Sequence, residues 1–226
     1  MEVTYFGHSC FLLDMGGTKV LFDPFITYNS LASEVDKEAI EADFILVSHA
    51  HQDHMADAEY FAKKSNGTIV AIYEVCEWYK AKGIENVVHM NIGGKADLPF
   101  GTVKMVTAAH SSVLPDGTYG GNPGGYVVES GDKTFYFAGD TGLTYDMKII
   151  AEQYHLDFAF LPIGGRLTMD IYDAVTAANW VNTKKIIGMH FDTWPNIEID
   201  HIEAMEAARQ AGKELVLMQI GEKINL

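Results

Sequence analysis

Short apolar segments separated by polar or glycine-rich turns recur along the whole chain, and they predict a protein rich in β-strands. The chain begins with a strand at residues 3–6, followed by a hairpin with arms at residues 11–14 and 19–22. A second hairpin joins residues 126–129 to residues 134–137. Further strands are expected at residues 44–47, 68–71, 103–107, 158–161 and 185–189, with others between 87 and 109, and a strand at 214–218 is expected to end the fold.

Segments with helical features follow the strands in each half of the chain. Asp57 and Asp170 are suitable N-caps for helices that end near residues 64 and 181. Further helices are expected at residues 37–42, 74–82, 143–154 and 200–211. Strands followed by helices in both halves predict mixed sheets with outer helices. We therefore expect an α+β fold, built as a four-layer αββα sandwich.

Length, composition and charge limit the architecture and the partners. A chain of 226 residues with 48% hydrophobic residues fits one domain, residues 1–226, with an ample core. Its 31 acidic and 16 basic residues give a net charge of −15, which disfavours nucleic acid and anionic membranes as partners. No apolar segment reaches the length of a membrane span, and the N-terminal residues lack the features of a secretory signal. We therefore expect a cytoplasmic protein.

The two cysteines, Cys10 and Cys76, are too few to form a disulfide framework. Cys10 lies beside Ser9 and near His8, so one interpretation is a nucleophilic thiol. The other interpretation is a small buried hydrophobic side chain, and we favour it because free cysteines are among the most buried residues.

The chemistry of the chain is concentrated in the segment His49-Ala50-His51-Gln52-Asp53-His54, which follows the apolar strand at 44–47. Three imidazoles and one carboxylate therefore lie in a loop at the C-terminal end of a buried strand, where neighbouring side chains can turn toward one point. Neutral imidazole and carboxylate are ligands that suit zinc, manganese or iron. The alternative is a surface loop that is rich in histidine by chance.

The spacing His-x-His-x-Asp-His resembles the signature of the metallo-β-lactamase superfamily, and the resemblance covers nearly the whole chain. Members of that superfamily add a His, an Asp and a last His, each after a later strand. Those positions are occupied here by His110, Asp140 and His190. Three segments are similar to a narrower group of small, single-domain, UPF0173-like metal-dependent hydrolases near the ascorbate-phosphate lactonase and N-acyl-phosphatidylethanolamine phospholipase branches: Gly7-His8-Ser9-Cys10-Phe11, Asp23-Pro24-Phe25 and Leu161-Pro162-Ile163-Gly164-Gly165.

The resemblance implies a binuclear metal site with seven protein ligands. In that assignment His49, His51 and His110 hold the first ion, Asp53, His54 and His190 hold the second, and Asp140 bridges both. Zinc is the expected metal, with manganese, nickel and iron as alternatives. Two such cations lower the pKa of a bridging water toward neutrality, so hydroxide can attack without a Ser or Cys nucleophile.

Several further residues are expected near this site. The resemblance implies catalytic roles for Asp53 and for His8, which points to the active site in similar proteins; a structural role is the alternative for His8. Asp23 is expected to accept a hydrogen bond from a metal-bound imidazole, although an Asp-Pro pair can also simply begin a turn. The segment 111–125 is rich in glycine, serine and proline, and it either covers the site or only links two strands.

Two positions near the expected pocket depart from the similar proteins. Those proteins often carry Asn at the position of Arg166, and Asn or Gly at the position of Asp192. The departures add a cation and an anion, and they leave the substrate open. His89, His155 and His201 belong to no motif, and we assign them to the surface or to packing.

Together these observations predict a metal-dependent hydrolase that cleaves an ester, lactone, amide or phosphodiester bond of a small molecule. A nuclease is disfavoured by the acidic charge and by the short interval from His110 to Asp140, which has no room for an inserted domain. A non-enzymatic metal-binding protein remains an alternative. A di-iron redox relative would carry Glu in place of His51, together with a flavin domain. The sequence leaves open the physiological metal and the oligomeric state, a homo-oligomer included.

Overall fold

The computed structural model describes all 226 residues, and it contains two seven-stranded mixed sheets packed face to face. Phe11 of the first sheet packs on Phe160 of the second with ring centroids 4.7 Å apart, and Phe22 packs on Phe137 at the same distance. The hydroxyl of Tyr126 also crosses between the sheets and donates to the carbonyl of Val47. Helices cover the outer faces, which confirms the expected four-layer αββα sandwich.

The first sheet contains the N-terminal strands and one strand from the C-terminal end. Its strands are β1 (Glu2–Tyr5), β2 (Phe11–Met15), β3 (Thr18–Phe22), β4 (Phe44–Val47), β5 (Thr68–Ile72), β6 (Val87–Met90) and β14 (Lys223–Asn225). Their spatial order is β14-β1-β2-β3-β4-β5-β6. The pairs from β14 to β3 are antiparallel, whereas those from β3 to β6 are parallel.

The second sheet repeats this arrangement of antiparallel and parallel pairs. Its strands are β7 (Lys95–Leu98), β8 (Gly101–Thr107), β9 (Gly124–Ser130), β10 (Lys133–Phe137), β11 (Phe158–Pro162), β12 (Lys185–Met189) and β13 (Glu214–Val216). The order is β13-β12-β11-β10-β9-β8-β7, with parallel pairing from β13 to β10 and antiparallel pairing from β10 to β7. Each sheet therefore has a parallel half whose strands end at a common edge.

Six helices follow the parallel strands. They are α1 (Gln52–Met55), α2 (Ala58–Ser65), α3 (Tyr73–Lys80), α4 (Met147–Gln153), α5 (Ile171–Trp180) and α6 (His201–Gln210), with single 3-10 turns at Ser30–Ala32, Lys37–Ala39 and Pro195–Ile197. The carboxylate of Asp170 accepts from the backbone N–H of Asp173, as expected for the N-cap of α5. No helix is both long enough and apolar enough to cross a lipid bilayer. The expected cytoplasmic location remains a prediction.

The structure corrects five details of the sequence interpretation. The expected final strand is not the last element, because β14 follows it and pairs with β1. Part of the ligand motif, read as a loop, forms the one-turn helix α1. The helix expected from residue 143 begins only at Met147, and the one expected at 37–42 is a single 3-10 turn. Asp57 precedes α2, but its carboxylate makes no capping bond there and instead binds the chain near Ile26.

Candidate metal centre

The predicted ligands come from four separated strand ends that meet at one edge of the two sheets. The motif follows β4, His110 follows β8, Asp140 follows β10 and His190 follows β12. The potential ligand atoms within each of three overlapping groups lie within 4.8 Å of one another; the groups are His49–His51–His110, His49–His54–Asp140 and His8–Asp53–His54–His190. All seven predicted ligands are therefore brought together, and His8 joins them.

The first group of imidazoles is formed by His49, His51 and His110. Nε2 of His49 lies 2.9 Å from Nδ1 of His51, so both nitrogens face the same point. His110 lies edge-on to both rings, with centroids 5.2 Å from His49 and 5.1 Å from His51. Three convergent imidazoles that leave one side open are typical of a catalytic rather than a structural zinc site.

The second group contains His54, His190 and Asp53, with His8 behind Asp53. The rings of His54 and His190 are stacked with centroids 5.7 Å apart. Oδ2 of Asp53 lies 3.6 Å from Nε2 of His54 and 3.7 Å from Nε2 of His190. These three side chains match the set predicted for a second ion.

Asp140 lies between the two groups. Its Oδ2 is 2.9 Å from Nε2 of His190 and 3.5 Å from Nε2 of His110, while its Oδ1 is 3.3 Å from Nε2 of His54. The preceding Gly139 has a φ of 60°, and an added Cβ there would lie 2.8 Å from Ser48. Glycine thus allows the turn that carries Asp140 to lie close to β4, within reach of both groups.

A buried carboxylate supports ligands on both sides. Oδ2 of Asp23 lies 2.8 Å from Nδ1 of His54, which is the hydrogen bond expected from the sequence. The Ser48 hydroxyl donates to the same oxygen at 2.7 Å, and it lies 3.0 Å from Nδ1 of His49. With Nδ1–H donated in this way, Nε2 of each histidine remains free to face the centre of the site.

The two groups differ in their preferred protonation. Burial, reinforced by neighbouring imidazoles, lowers the pKa of His49 well below its ordinary value. Burial alone would also lower the pKa of His54 and of His190. The surrounding carboxylates, led by Asp140, overcome it: they hold the pKa of His54 well above normal and raise that of His190 to about 9. Without a metal, the second group therefore binds protons next to its carboxylates.

Two buried polar atoms at the centre have no hydrogen-bond partner: Nε2 of His54 and Oδ1 of Asp140. An unpaired buried polar atom typically costs on the order of 1–3 kcal/mol. A cation that accepts lone pairs from both atoms would satisfy them. Imidazole nitrogens and carboxylate oxygens are also the donors that zinc and similar divalent ions prefer. The residues present therefore fit divalent metal ions.

His8 is buried, and it lies one step away from the cavity surface. Its Nε2 is 3.0 Å from Oδ2 of Asp53, and its Nδ1 is 2.8 Å from the Thr193 hydroxyl. Burial, together with the neighbouring His190, lowers the pKa of His8 to about 4, so the ring is neutral at physiological pH. His8 thus contacts Asp53 rather than the space open to a substrate.

Strained backbone supports this side of the site. His8, Asp23 and His190 have φ values of 57°, 41° and 56°, in the left-handed region that non-glycine residues rarely adopt. The backbone N–H of His190 donates to the carbonyl of His8 at 2.8 Å, which joins two of these residues. Such strain persists only where the surrounding structure enforces it, and it is concentrated at functional sites.

A cavity of about 580 Å³ opens above the ligands. Five of the predicted ligands line it, namely His51, Asp53, His110, Asp140 and His190. Six other residues complete the lining. Ser111 belongs to the segment expected over the site, and Leu167 follows Arg166 near the expected pocket. The other four were not assigned to the site from the sequence: Phe25, Tyr28, Gln52 and Trp194. Neither Arg166 nor Asp192 lines the cavity. The segment 111–125 contributes only Ser111, so most of it does not cover the ligands.

The cysteines and the remaining histidines lie outside the site. Cys10 is fully buried, and burial raises the pKa of its thiol far above the ordinary range. Cys76 is also buried, which raises its pKa to about 12. His89 pairs with Glu77 at the surface, and Nε2 of His201 lies 2.6 Å from Asp192. None of these side chains contacts the predicted ligands.

The chain is similar to known proteins along its whole length. Residues 2–190 match the beta-lactamase superfamily domain. The chain is 48% identical over 226 residues to a UPF0173 metal-dependent hydrolase of Flavobacterium johnsoniae and 49% identical over 228 residues to one of Christiangramia forsetii, each with full coverage of both chains. A solved metallo hydrolase from Ignicoccus hospitalis is 34% identical, with a TM-score of 0.89 over 99% of this chain and 97% of the other.

Proposed function

This chain belongs to the beta-lactamase superfamily, among its UPF0173 metal-dependent hydrolases, and from that premise we propose that its seven convergent ligands hold two divalent ions at which a small molecule is hydrolysed. The proposal treats residues 1–226 as one hydrolase domain. Zinc is the proposed metal, and manganese, nickel and iron are the alternatives to be tested.

The position of Asp140 is the observation that carries this proposal. Its two carboxylate oxygens lie within 3.5 Å of imidazole nitrogens that belong to opposite groups, on His110 and on His54 and His190. A carboxylate that only balanced a histidine charge would need one such partner. Contact with both groups is the arrangement required of a ligand shared by two cations.

Bound divalent ions would supply an acidified water and a Lewis acid for the oxyanion that develops during hydrolysis. The protein side chains contribute orientation and proton handling. Asp53 reaches the cavity with a side chain that is 22% exposed, and His8 holds its Oδ2 by a hydrogen bond. Oδ1 of Asp53 is then free to orient the attacking water or to accept its proton.

His8 acts in this proposal as a positioning residue. An ionised Asp53 carboxylate can only accept, so the single proton of the neutral His8 ring is assigned to Nε2, which donates to Asp53. Nδ1 then faces the Thr193 hydroxyl as an acceptor. A neutral donor fixes the carboxylate without cancelling its charge. His8 therefore favours the ionised form of Asp53 that a ligand or general base requires.

The proposed substrate is a small molecule with an ester, lactone, amide or phosphodiester bond. A cavity of about 580 Å³ lies within the range typical of small-molecule sites. Cys10 is not a candidate nucleophile, because it is fully buried and carries a raised pKa.

The test is a panel of chromogenic esters, lactones, thioesters and phosphodiesters, applied to protein stripped of metal and reloaded with zinc, manganese, nickel or iron. We expect reloading to restore hydrolysis, and elemental analysis to approach two ions per chain. Saturation at one ion would remove the shared role of Asp140. Full activity in stripped protein, or a covalent adduct on Cys10 or Ser9, would overturn the proposal.

A further inference from the structure

The cavity lining includes four apolar residues, Phe25, Tyr28, Leu167 and Trp194, which together are called the apolar wall. Two of these side chains are unusually open for large hydrophobic residues, since Tyr28 is 65% exposed and Leu167 is 48% exposed. Apolar side chains gathered at one cavity next to potential ligands indicate a binding surface rather than scattered surface residues.

The apolar wall begins beside the second group of ligands. The Trp194 ring lies edge-on to His8 with centroids 5.0 Å apart, and Phe25 lies edge-on to the same histidine at 5.5 Å. The two aromatic rings are 6.1 Å from each other. A group attached to the bond undergoing hydrolysis would therefore meet aromatic carbon close to Asp53.

The chain segment that carries Phe25 and Tyr28 is held in place by Asp57. This buried carboxylate accepts from the backbone N–H of Ile26 at 2.7 Å and of Thr27 at 2.8 Å. The Thr27 hydroxyl and the Lys37 ammonium also donate to it. Four donors on one buried carboxylate fix the backbone between the two aromatic residues.

The segment that carries Trp194 is held in a similar way by Asp192, whose φ is 60°. Its carboxylate accepts from the backbone N–H of Ile199 at 3.0 Å and pairs with His201 at 2.6 Å. Its own N–H donates to the carbonyl of Ile197. Both aromatic segments are thus ordered by carboxylates that do not line the cavity, so the apolar wall is preformed.

We propose that the apolar wall binds an uncharged, apolar acyl group of the substrate, and that the enzyme selects esters, lactones or amides with such a group over short or charged acyl analogues. This inference rests on the proposed hydrolytic function. A preformed surface binds an apolar group without first being ordered, which favours affinity. Each methylene transferred from water to such a wall is expected to strengthen binding about fourfold.

The experiment uses the zinc-loaded protein and two matched series with acetyl, butyryl, hexanoyl and octanoyl groups. Hydroxamic acids report binding by calorimetry, and p-nitrophenyl esters report kcat/KM. We expect both to rise about fourfold per methylene until the wall is covered. A hexanoyl-length hydroxamate with a terminal carboxylate should bind at least about tenfold more weakly than the neutral one.

Substitutions at two positions, Trp194 and Leu167, test whether the chain-length dependence arises at the apolar wall. Trp194→Ala should flatten the chain-length dependence in both series, and Trp194→Phe should restore most of it. Leu167→Ser, at a side chain that is 48% exposed, should reduce the dependence as well. The controls Tyr145→Ala and Ile202→Ser alter side chains that are 71% and 83% exposed outside the cavity, and both should behave as wild type.

The outcomes separate this inference from the proposed function. Equal binding and hydrolysis along both series, or tight binding of the charged hydroxamate, would overturn the apolar wall as an acyl site while leaving the hydrolase intact. If no hydroxamate binds and no ester is cleaved while elemental analysis still gives two ions per chain, the acyl site is wrong and the metal centre stands. If the reloaded protein also fails to bind two ions, the proposed function fails as well.

Discussion

The two groups of candidate ligands differ in exposure and in the charges around them. His51 and His110 of the first group are partly exposed at the cavity, whereas His54 and His190 of the second group are buried. Burial lowers the pKa of both His51 and His110. The carboxylates around the second group instead raise the pKa of its histidines.

This difference shows that two groups of ligands in one site can favour cation binding through opposite protonation states. The first group offers neutral imidazoles, so a metal can bind without displacing protons. The second group offers carboxylates whose charge is balanced by protonated histidines, and a metal must release those protons as it binds. The two ions should therefore differ in affinity, in pH dependence and in ease of removal.

The largest expected effect comes from removing the one residue that contacts both groups. Asp140→Ala should lower kcat/KM by about a thousandfold, or about 4 kcal/mol, because both ions lose a ligand. Both the ion of the first group and the ion of the second group should be lost, measured by elemental analysis after dialysis. Asp146→Ala, at an exposed aspartate near the start of α4, is the matched control. Two retained ions and near wild-type activity in Asp140→Ala would show that the groups are independent.

The pH dependence of stability in metal-free protein tests the protonated state of the second group. The pKa of His190 is raised from 6.5 to about 9, so its contribution is fully present below pH 6.5 and is lost as pH rises through about 9. The expected loss is at most about 3 kcal/mol, measured by urea unfolding across that range.

Zinc-reloaded protein is the control for this measurement, because the metal would replace the proton. The alkaline loss of stability should then be absent. An identical alkaline loss in stripped and reloaded protein would assign it to groups elsewhere in the chain.

The variant Asp53→Ala tests whether the second group contributes to the hydrolytic step as well as to metal binding. Asp53→Ala should reduce kcat by at least about a hundredfold, or about 2.7 kcal/mol, with the fold intact by circular dichroism. The first group should retain its ion. Cys10→Ala should change kcat far less, since the buried thiol does not meet the cavity. A comparable loss in both variants would argue against metal-assisted attack.

The smallest expected effects come from residues behind the ligands. Asp23→Asn should weaken metal binding on both sides about tenfold to a hundredfold, because Asp23 supports His54 directly and His49 through Ser48. Ser48→Ala should weaken mainly the binding of the ion held by the first group. Competition with a chromophoric chelator resolves the two affinities. Equal effects of both variants on both ions would remove the distinction between the groups.

The motif at 49–54 stands out in the sequence itself, whereas the assignment of His110, Asp140 and His190 as ligands came from the resemblance to the metallo-β-lactamase superfamily. A buried parallel strand such as β4 is apolar along its whole length, so the polar residues that follow it mark the edge of the sheet. Asp140 and His190 follow strands of the parallel half of the second sheet, and His110 follows the antiparallel strand β8. Strand ends that share an edge must lie close together, whichever residues form the connecting loops.

Other features depend on contacts between distant segments, and the sequence carried no local signal for them. Strand β14 has one apolar residue, Ile224, and it becomes a strand because the edge of β1 is available for pairing. Tyr28 stands in a polar, irregular segment, and Leu167 stands beside Arg166 near the expected pocket. Only the packing of the whole chain shows that they remain exposed beside the ligands. Asp57 had a plausible local role as a helix cap, but the donors near Ile26 compete for it.

The apolar wall draws most of its residues from loops that hold no predicted metal ligand. Phe25 and Tyr28 lie between β3 and β4, and Leu167 lies between β11 and α5, whereas the ligands follow β4, β8, β10 and β12. Mutations that spare Asp23 can therefore accumulate in those two loops without changing the metal ligands or their support. Natural selection could retune substrate preference one loop at a time, and a laboratory library restricted to the same loops would explore new substrates from a catalytically intact parent.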